Sequence, residues 1–401
     1  MEKMTRMQNG EEDMKHIFRV VHPLLNALGA WPTDVRSPAL SKITNIIHIV
    51  LIYFIEFAVI APALLYTFLF VKNTSIRIKL IMPHLTHLCQ LCKYTFVLWR
   101  HNEIRELLND IRNDCLNATE DDQWIYKTRA TIGHRLMMSL IICLFIGGAL
   151  YLTVTPFLRE KVVLPDNTTI RPLPSPSYFV LFSDQITPNY ETIFFIQVFC
   201  GFISFTIYAG ALGLCTTLCL HMCSMLKILG NKMRDLSGLS ETDKDIVQEE
   251  IADIVEYHTK IRRFFNRSEH VTSYIYFVGI TSEVIIMLIV GYIIIMEWGS
   301  SNATAIVTYF ALQITMIIGM FMTCFVGQLL IDEGNVVKKI SNTLDWYQLP
   351  VEKARCLILI IIMSNNPIKI TVANMVQLSL ITFIDIMKAT LGYFNVLRST
   401  I

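Results

Sequence analysis

An all-α membrane fold with seven crossings is expected for this chain of 401 residues, on three observations. Hydrophobic residues make up 53% of it and charged residues 17%, with a mean hydropathy of +0.48, outside the usual range of soluble domains. Seven apolar stretches, near 43–71, 76–99, 132–155, 192–226, 271–296, 303–331 and 354–397, match the roughly 20 residues that cross about 30 Å of hydrocarbon as a helix. Lysine and arginine alternate between connectors: 24 of the 34 fall in 1–42, 100–131 with its flanks, 227–270 and 332–356, and 7 in the connectors of the other side. Basic residues are retained on the cytosolic side, so the N-terminus is expected inside and the C-terminus outside.

The elements follow in order. Residues 1–42 form a cytosolic segment whose apolar patch, Ile17 to Leu28, is broken by Arg19, His22 and Pro23 and lies along or dips into the membrane. No cleavable signal peptide is visible in the charged first 15 residues. Residues 43–401 form one transmembrane domain. In its second span His84, His87, Cys89 and Cys92 invite a metal site. At about 100° per residue they spread around a helix, so a polar face packed inside the bundle is expected, with no metal and no cofactor. The outer connector 156–190 holds Pro156, Pro165, Pro172, Pro174, Pro176 and Pro188 and reads as an irregular lid. In the fourth span Cys215, Cys219 and Cys223 share one face, as helix packing in membranes favours small residues.

Between the fourth and fifth spans, Val247, Ile251, Ile254, His258, Ile261 and Phe265 recur at steps of four and three. That stripe predicts a helix extended into the cytosol and packed on another; an amphipathic connector on the membrane surface is the alternative. Glu283 in the fifth span reads as an interhelical hydrogen-bonding group, since an ionisable side chain at that depth needs a partner. The last stretch is broken at Ser364-Asn365-Asn366-Pro367. A short inner helix should end there and a final span should occupy 367–397, where Asp385 and Lys388 either pair or border a water-filled path.

None of the ten cysteines lies in an expected outer loop, so a disulfide between those loops is not expected. Of five glycosylation sequons, Asn73, Asn167 and Asn302 fall outside, Asn117 and Asn266 inside. The net charge of +1 names no partner, and nucleic acid is not expected as one. There is no P-loop, no H-E-x-x-H, no G-x-S-x-G and no dinucleotide fingerprint, so no enzyme is expected. Asn366-Pro367-Ile368-Lys369-Ile370 resembles the N-P-x-x-Y of rhodopsin-like receptors but ends in Ile370, and no D-R-Y follows the third span.

The C-terminal third, taken as a unit, resembles the insect odorant receptors. Gly327-Gln328-Leu329-Leu330-x-Asp332-Glu333 looks like their G-Q-x-L-x-x-E/D-S region, with Gly334 in place of serine. Trp346-Tyr347-Gln348-Leu349-Pro350 looks like their W-Y-x-L-P element, and Pro367-x-x-Ile370-Thr371 with Lys388 to Leu397 looks like their last helix. Leu28-Gly29-Ala30-Trp31-Pro32 is similar to the hymenopteran members.

The resemblance implies an odorant-binding subunit of a tetrameric, non-selective cation channel, formed with the odorant receptor co-receptor in the plasma membrane of olfactory sensory neurons. It assigns 227–270 and 332–363 to a cytosolic anchor, with Trp346 and Tyr347 at the subunit interface, and makes Val396 and Thr400 the gate-facing pair of a pore-lining last helix. The odorant site is expected in the outer half of spans two, three, four and six: Leu144, Gly147, Tyr151, Phe194, Val198, Tyr309, Gln313 and Met316. An odorant of about ten heavy atoms gaining about −0.5 to −0.8 kcal/mol per atom binds at low micromolar at best. The alternative readings are a seven-helix receptor signalling through a G protein and a homomeric gustatory-like chemoreceptor channel. An epitope placed after Ile401 is expected to be stained on intact cells; staining only after permeabilisation would overturn the topology and favour G-protein coupling.

Overall fold

The computed structural model describes residues 10–12, 14–32, 39–154, 156, 162–163, 169–180, 182–237, 244–298, 303–344, 351–366, 368–372 and 376–400. Its helices are α1 Val21–Ala27, α2 Ala39–Leu69, α3 Thr74–Trp99, α4 His101–Asn117, α5 Glu120–Ala149, α6 Asn189–Ser237, α7 Lys244–Glu297, α8 Ala303–Asn342, α9 Val351–Asn365 and α10 Leu380–Thr400. A π-helical turn, Leu150–Val154, finishes α5. Two short antiparallel pairs complete the fold: β1 Val162–Val163 with β2 Thr169–Ile170, and β3 Thr371–Val372 with β4 Val376–Gln377.

Among the described residues α2, α5 with its π turn, α6, α7 and α8 are long and apolar enough to cross a membrane. The 26 residues of α3 and 21 of α10 are also long enough, at about 1.5 Å per residue, but more polar. At the centre stands α6, the most buried of these helices, in contact with α1, α2, α3, α5, α7 and α8. From Ile207 to Gly230 its residues are buried around nearly the whole circumference, Cys215, Cys219 and Cys223 among them, while Phe195 and Phe199 near its start are exposed. By contrast α2 shows Ile43, Ile46, Val50, Phe54 and Phe57 on an exposed face, where lipid tails take the place of protein.

The stripe expected at 241–267 is built as read. Val247, Ile251, Ile254, His258, Ile261 and Phe265 are all buried along α7, which continues without a break into the fifth span. Burial, with Arg262 nearby, pushes the His258 imidazole down to about 4, so it packs there as a neutral ring. At the same end of the bundle Asp114 of α4 meets His221 of α6 at 3.1 Å and Lys260 of α7. Burial alone would raise the Asp114 carboxyl, but the hydrogen bonds and charges of His221 and Lys260 outweigh it and hold the group below its usual range.

The N-terminal segment packs on α6 through Val21 and Leu25, next to Gly213 and Gly210. Its helix ends in a left-handed cap: Gly29 has φ +63°, Ala30 N–H donates to Leu25 O at 2.9 Å and Gly29 N–H to Asn26 O at 3.0 Å. That cap explains the glycine of Leu28-Gly29-Ala30-Trp31-Pro32. The Tyr94 hydroxyl of α3 then donates to the Leu28 carbonyl at 2.7 Å.

The C-terminal region corrects the expected boundary. The last helix starts at Leu380, not at 367, because residues after the break form the β3–β4 hairpin. Ile368, Ile370 and Val372 are buried while Lys369 is exposed, the period-two alternation of a strand. Asp385 and Lys388, expected to pair or to face water, are both exposed and make no hydrogen bond or ion pair among the described residues. Trp346 and Tyr347 lie outside the described residues, as do Asn167 and Asn302.

The family-like motif in α8 has a mechanical role here. Gly327 lies so close to Leu378 that an added Cβ would sit 2.5 Å from the Leu378 carbonyl oxygen. Gln328 accepts the Leu380 N–H at 3.3 Å, capping α10, and Glu333 pairs with Arg129 of α5. Gly327→Ala is therefore expected to destabilise the protein by about 1–3 kcal/mol, the usual cost of overpacking, seen as a lower melting temperature in detergent. Gly334→Ala, whose methyl would meet Ile368 O at 3.8 Å, should melt with the parent; equal loss in both would contradict the close contact.

Candidate ligand-binding site

Six helices and the lid close around a mainly apolar cavity of about 70 Å³. The walls come from Met82, Pro83, Thr86 and His87 of α3, Leu144 and Gly148 of α5, and Tyr151 and Leu152 of the π turn. Ile286 and Val290 of α7, and Leu312, Thr315 and Met316 of α8, face them. From α6 come Gln197, Gly201, Ser204 and Phe205, and Val59 of α2 completes the wall. A π turn widens the helix and re-aims its side chains, which brings the consecutive Tyr151 and Leu152 to the same space.

Glycines let the aromatic and aliphatic walls approach. A Cβ on Gly148 would lie 2.1 Å from the Phe205 ring, and one on Gly201 would lie 2.3 Å from a Leu152 methyl. The lid is held down by one glutamine: Gln197 Nε2 donates to Ser175 O at 2.8 Å and to Ser177 Oγ at 2.9 Å, while its Oε1 accepts Ser175 N–H at 3.1 Å. The lid's Tyr178 N–H donates to Pro62 O of α2 at 3.0 Å, and the Tyr190 hydroxyl to Pro172 O at 2.9 Å. Pro174 and Ser175 thereby roof the cavity.

One wall is polar. Glu56 of α2 is 0% exposed; its Oε1 accepts from Ser204 Oγ at 2.8 Å and its Oε2 lies 3.0 Å from His87 Nδ1. Cys200 Sγ is 3.7 Å from the same nitrogen. Carboxylate, imidazole and thiol lie within 4.8 Å of one another, a donor set of the zinc type, and Ser204 joins the same cluster through Glu56. His84 contacts Thr67 Oγ1 at 3.0 Å. The histidines of α3 thus form the polar interhelical face read from their spacing.

Of the expected odorant residues, the structure brings Leu144, Tyr151 and Met316 to the cavity wall. Gly147 lies on the neighbouring face of α5, against Thr315 Oγ1 at 3.5 Å from where its Cβ would be. Tyr309 is buried in an adjoining cluster with Met82, Ile286 and Val290, and Gln313 is half-buried on α8. Phe194 and Val198 are half-buried on α6, on the same helical stripe as Gly201 and Phe205, but nearer the start of the helix and outside the cavity lining. Glu56, His87, Gln197 and Ser204 were not among the expected site residues. Glu56 is the one carboxylate within the 43–71 stretch, so its isolation was the available signal.

The other buried charges lie deeper. Tyr208 donates to Glu283 at 2.7 Å, as expected for an interhelical group, and Lys93 sits 4.6 Å from the centre of the Tyr208 ring. The last helix packs on α7 and α8. Phe394 fills the space beside Gly291, where a Cβ would lie 2.0 Å from the ring, and the opposite face leaves Val396 63% exposed. The side chain of Thr400 lies outside the described residues. Asn73 caps α3, its Oδ1 accepting Ser75 N–H at 2.9 Å.

The fold is similar to that of the insect olfactory receptor OR5 from Machilis hrabei. The TM-score is 0.80 at 15% identity to its complex with eugenol, covering 98% of each chain. For the structure described without eugenol the TM-score is again 0.80, covering 97% of this chain and 100% of that one. Odorant receptor 67c of Drosophila melanogaster is 24% identical over 197 residues, 48% of each protein. Odorant receptor 10 of Aedes albopictus is 20% identical over 237 residues, 59% of this chain and 62% of that one. The chain thus spans about half to three fifths of the length of these curated relatives. The profile described as 7tm Odorant receptor matches residues 80–391, well over half of the sequence: the chain belongs to the insect odorant receptor family and has the several apolar helices of a multi-pass membrane protein.

Proposed function

We propose that this chain is the odorant-binding subunit of a ligand-gated, non-selective cation channel, assembled with the odorant receptor co-receptor in the plasma membrane of olfactory sensory neurons. The observation that carries the reading is the lidded apolar cavity with one polar wall. Burial of a small volatile against Met82, Leu144, Tyr151 and Met316 supplies affinity, and His87 with Ser204 offers hydrogen bonds to a hydroxyl or carbonyl. The relative solved with eugenol supports a ligand of this class, an aromatic ring with small polar groups.

The empty space, about 70 Å³, is smaller than the ~150 Å³ that admits benzene to an apolar interior, so binding must move side chains. Methionine yields most easily, and Met82 and Met316 both line the cavity. The displacement has a short path to the last helix. Val290 lines the cavity and the next residue of α7, Gly291, holds the Phe394 ring. Val396, two residues beyond Phe394 on the uncovered face, is proposed with Thr400 as the gate, closing the pore by excluding water. Trp346 and Tyr347 are proposed for the cytosolic anchor, and Asn73, Asn167 and Asn302 for glycans.

Cells expressing this chain with the co-receptor are expected to show odour-evoked cation current, and cells expressing either alone none to the same odorant. Robust current from this chain alone would favour a homomeric channel, and a response needing a G protein would reject the channel. Pocket size makes a second test with a homologous odorant series. Gly148→Ala should push Phe205 inward and disfavour the longer members; Met316→Ala should favour them. Each buried methylene contributes about 0.8 kcal/mol, about fourfold in affinity. Equal shifts at every chain length, with normal surface staining, would remove these residues from the site.

A further inference from the structure

On the end of the bundle richest in lysine and arginine, an open groove of about 670 Å³ runs between the N-terminal segment and α4. Lys15 and Arg19 line one side, Arg105 and Arg112 the other, with no carboxylate among the described lining residues. Arg105 hydrogen-bonds Asn102 at 2.8 Å, and none of the four cations is in an ion pair among the described residues. The acids of α4 are occupied elsewhere. Asp110 pairs with Arg267 of α7, Glu106 lies 3.7 Å from the same guanidinium, and Asp114 is held by His221 and Lys260. Four like charges around one concavity repel each other and concentrate a field that an anion relieves.

The floor of the groove is aromatic. Trp31 packs edge-on against His22 at 4.7 Å and Phe18 at 5.5 Å between ring centres. Depth narrows the choice of anion. Helix α4 begins at His101, directly after α3 ends at Trp99 and Arg100, so the groove lies level with the ends of the spans. The exposed apolar face of α2 begins at Leu40, eight residues beyond Pro32 of the groove. Bilayer headgroups therefore stand beside it, and basic side chains near that surface attract anionic lipid.

We propose that this groove binds the headgroup of a polyphosphorylated inositol lipid of the cytosolic leaflet. Arg19 and Arg112 hold phosphates from opposite sides as charge-assisted forks, Lys15 and Arg105 add charge, and Trp31 with Phe18 take the apolar part of the lipid. The inference does not depend on the odorant or on the co-receptor.

The test uses the full-length receptor in detergent and anisotropy of a fluorescent short-chain phosphatidylinositol 4,5-bisphosphate. That probe should bind at least about tenfold more tightly than the matched phosphatidylserine, given the stronger phosphate charge. Arg19→Gln with Arg112→Gln should weaken it about tenfold or more, while Arg19→Lys with Arg112→Lys should restore most of the binding. Lys338→Gln with Lys339→Gln, on the exposed end of α8, is the control for diffuse charge and should leave binding unchanged. Loss in the control equal to that in the groove variant, or no loss in the groove variant, would overturn the site. Free inositol 1,4,5-trisphosphate should compete at least about tenfold less well than the lipid, lacking the part that meets the aromatic floor. Equal potency would reject the lipid in favour of a soluble anion. Should the glutamine pair fail to elute as folded protein, the single exposed change Arg112→Gln carries the same expectation at smaller size.

Discussion

The hydrogen bond from Tyr208 to Glu283, with Lys93 over the same ring, joins α6, α7 and α3 in the buried interior of the bundle. Glu283 is 4% exposed and Lys93 3%. An ionisable side chain at the bilayer centre costs roughly 2.5–3.5 kcal/mol on insertion scales unless protein compensates it. These three helices are therefore constrained to one relative placement by groups that have nowhere else to go. Glu56 imposes the same condition on α2, α3 and α6 through His87 and Ser204. Apolar packing holds the helices together without choosing a rotation, since lipid tails compete equally for an apolar surface; the polar clusters choose it.

Once that rotation is set, the cavity follows. The polar cluster around Glu56 becomes one wall, Gly148 and Gly201 let Phe205 and Leu152 close in, and Gln197 of the same central helix secures the lid above. Helix α7 borders both the cavity and the last helix, through Val290 and Gly291 in succession. The cavity and the last helix therefore share α7 as a neighbour. The hairpin before α10 is tied to the rest by Gly327, Gln328 and the bond from Thr371 to Glu269 at 2.9 Å, so α10 is held at its start and exposed along one face.

Where the sequence was legible, periodicity or isolation made it so. The stripe from Val247 to Phe265 repeats at helical spacing, and the burial of every member decides for a packed helix over a connector lying on the membrane surface. Glu283 stood alone in an apolar run, and a partner across the helix interface was the necessary consequence. The hairpin was misread because Ile368, Ile370 and Val372 suit an apolar span as well as a strand, and hydropathy outweighed their period-two alternation. On α6, Phe194 and Val198 share the stripe of Gly201 and Phe205, but the cavity lies further along the helix. Helical spacing marks a face and not the level along it at which a cavity opens.

By itself the sequence determined the helical membrane class, the order of the spans, the asymmetry of basic charge and the family motifs. Each rests on composition or on spacing along one element, and both survive whatever the neighbours do. Only the tertiary structure decided that Glu56, His87, Cys200 and Ser204 meet, that Leu144, Tyr151 and Met316 share a wall, and that Gly327 touches the backbone of Leu378. Those contacts depend on how helices distant in the chain rotate and approach each other, which is set by pairing buried polar groups and by the fit of side chains against glycine, not by any local pattern.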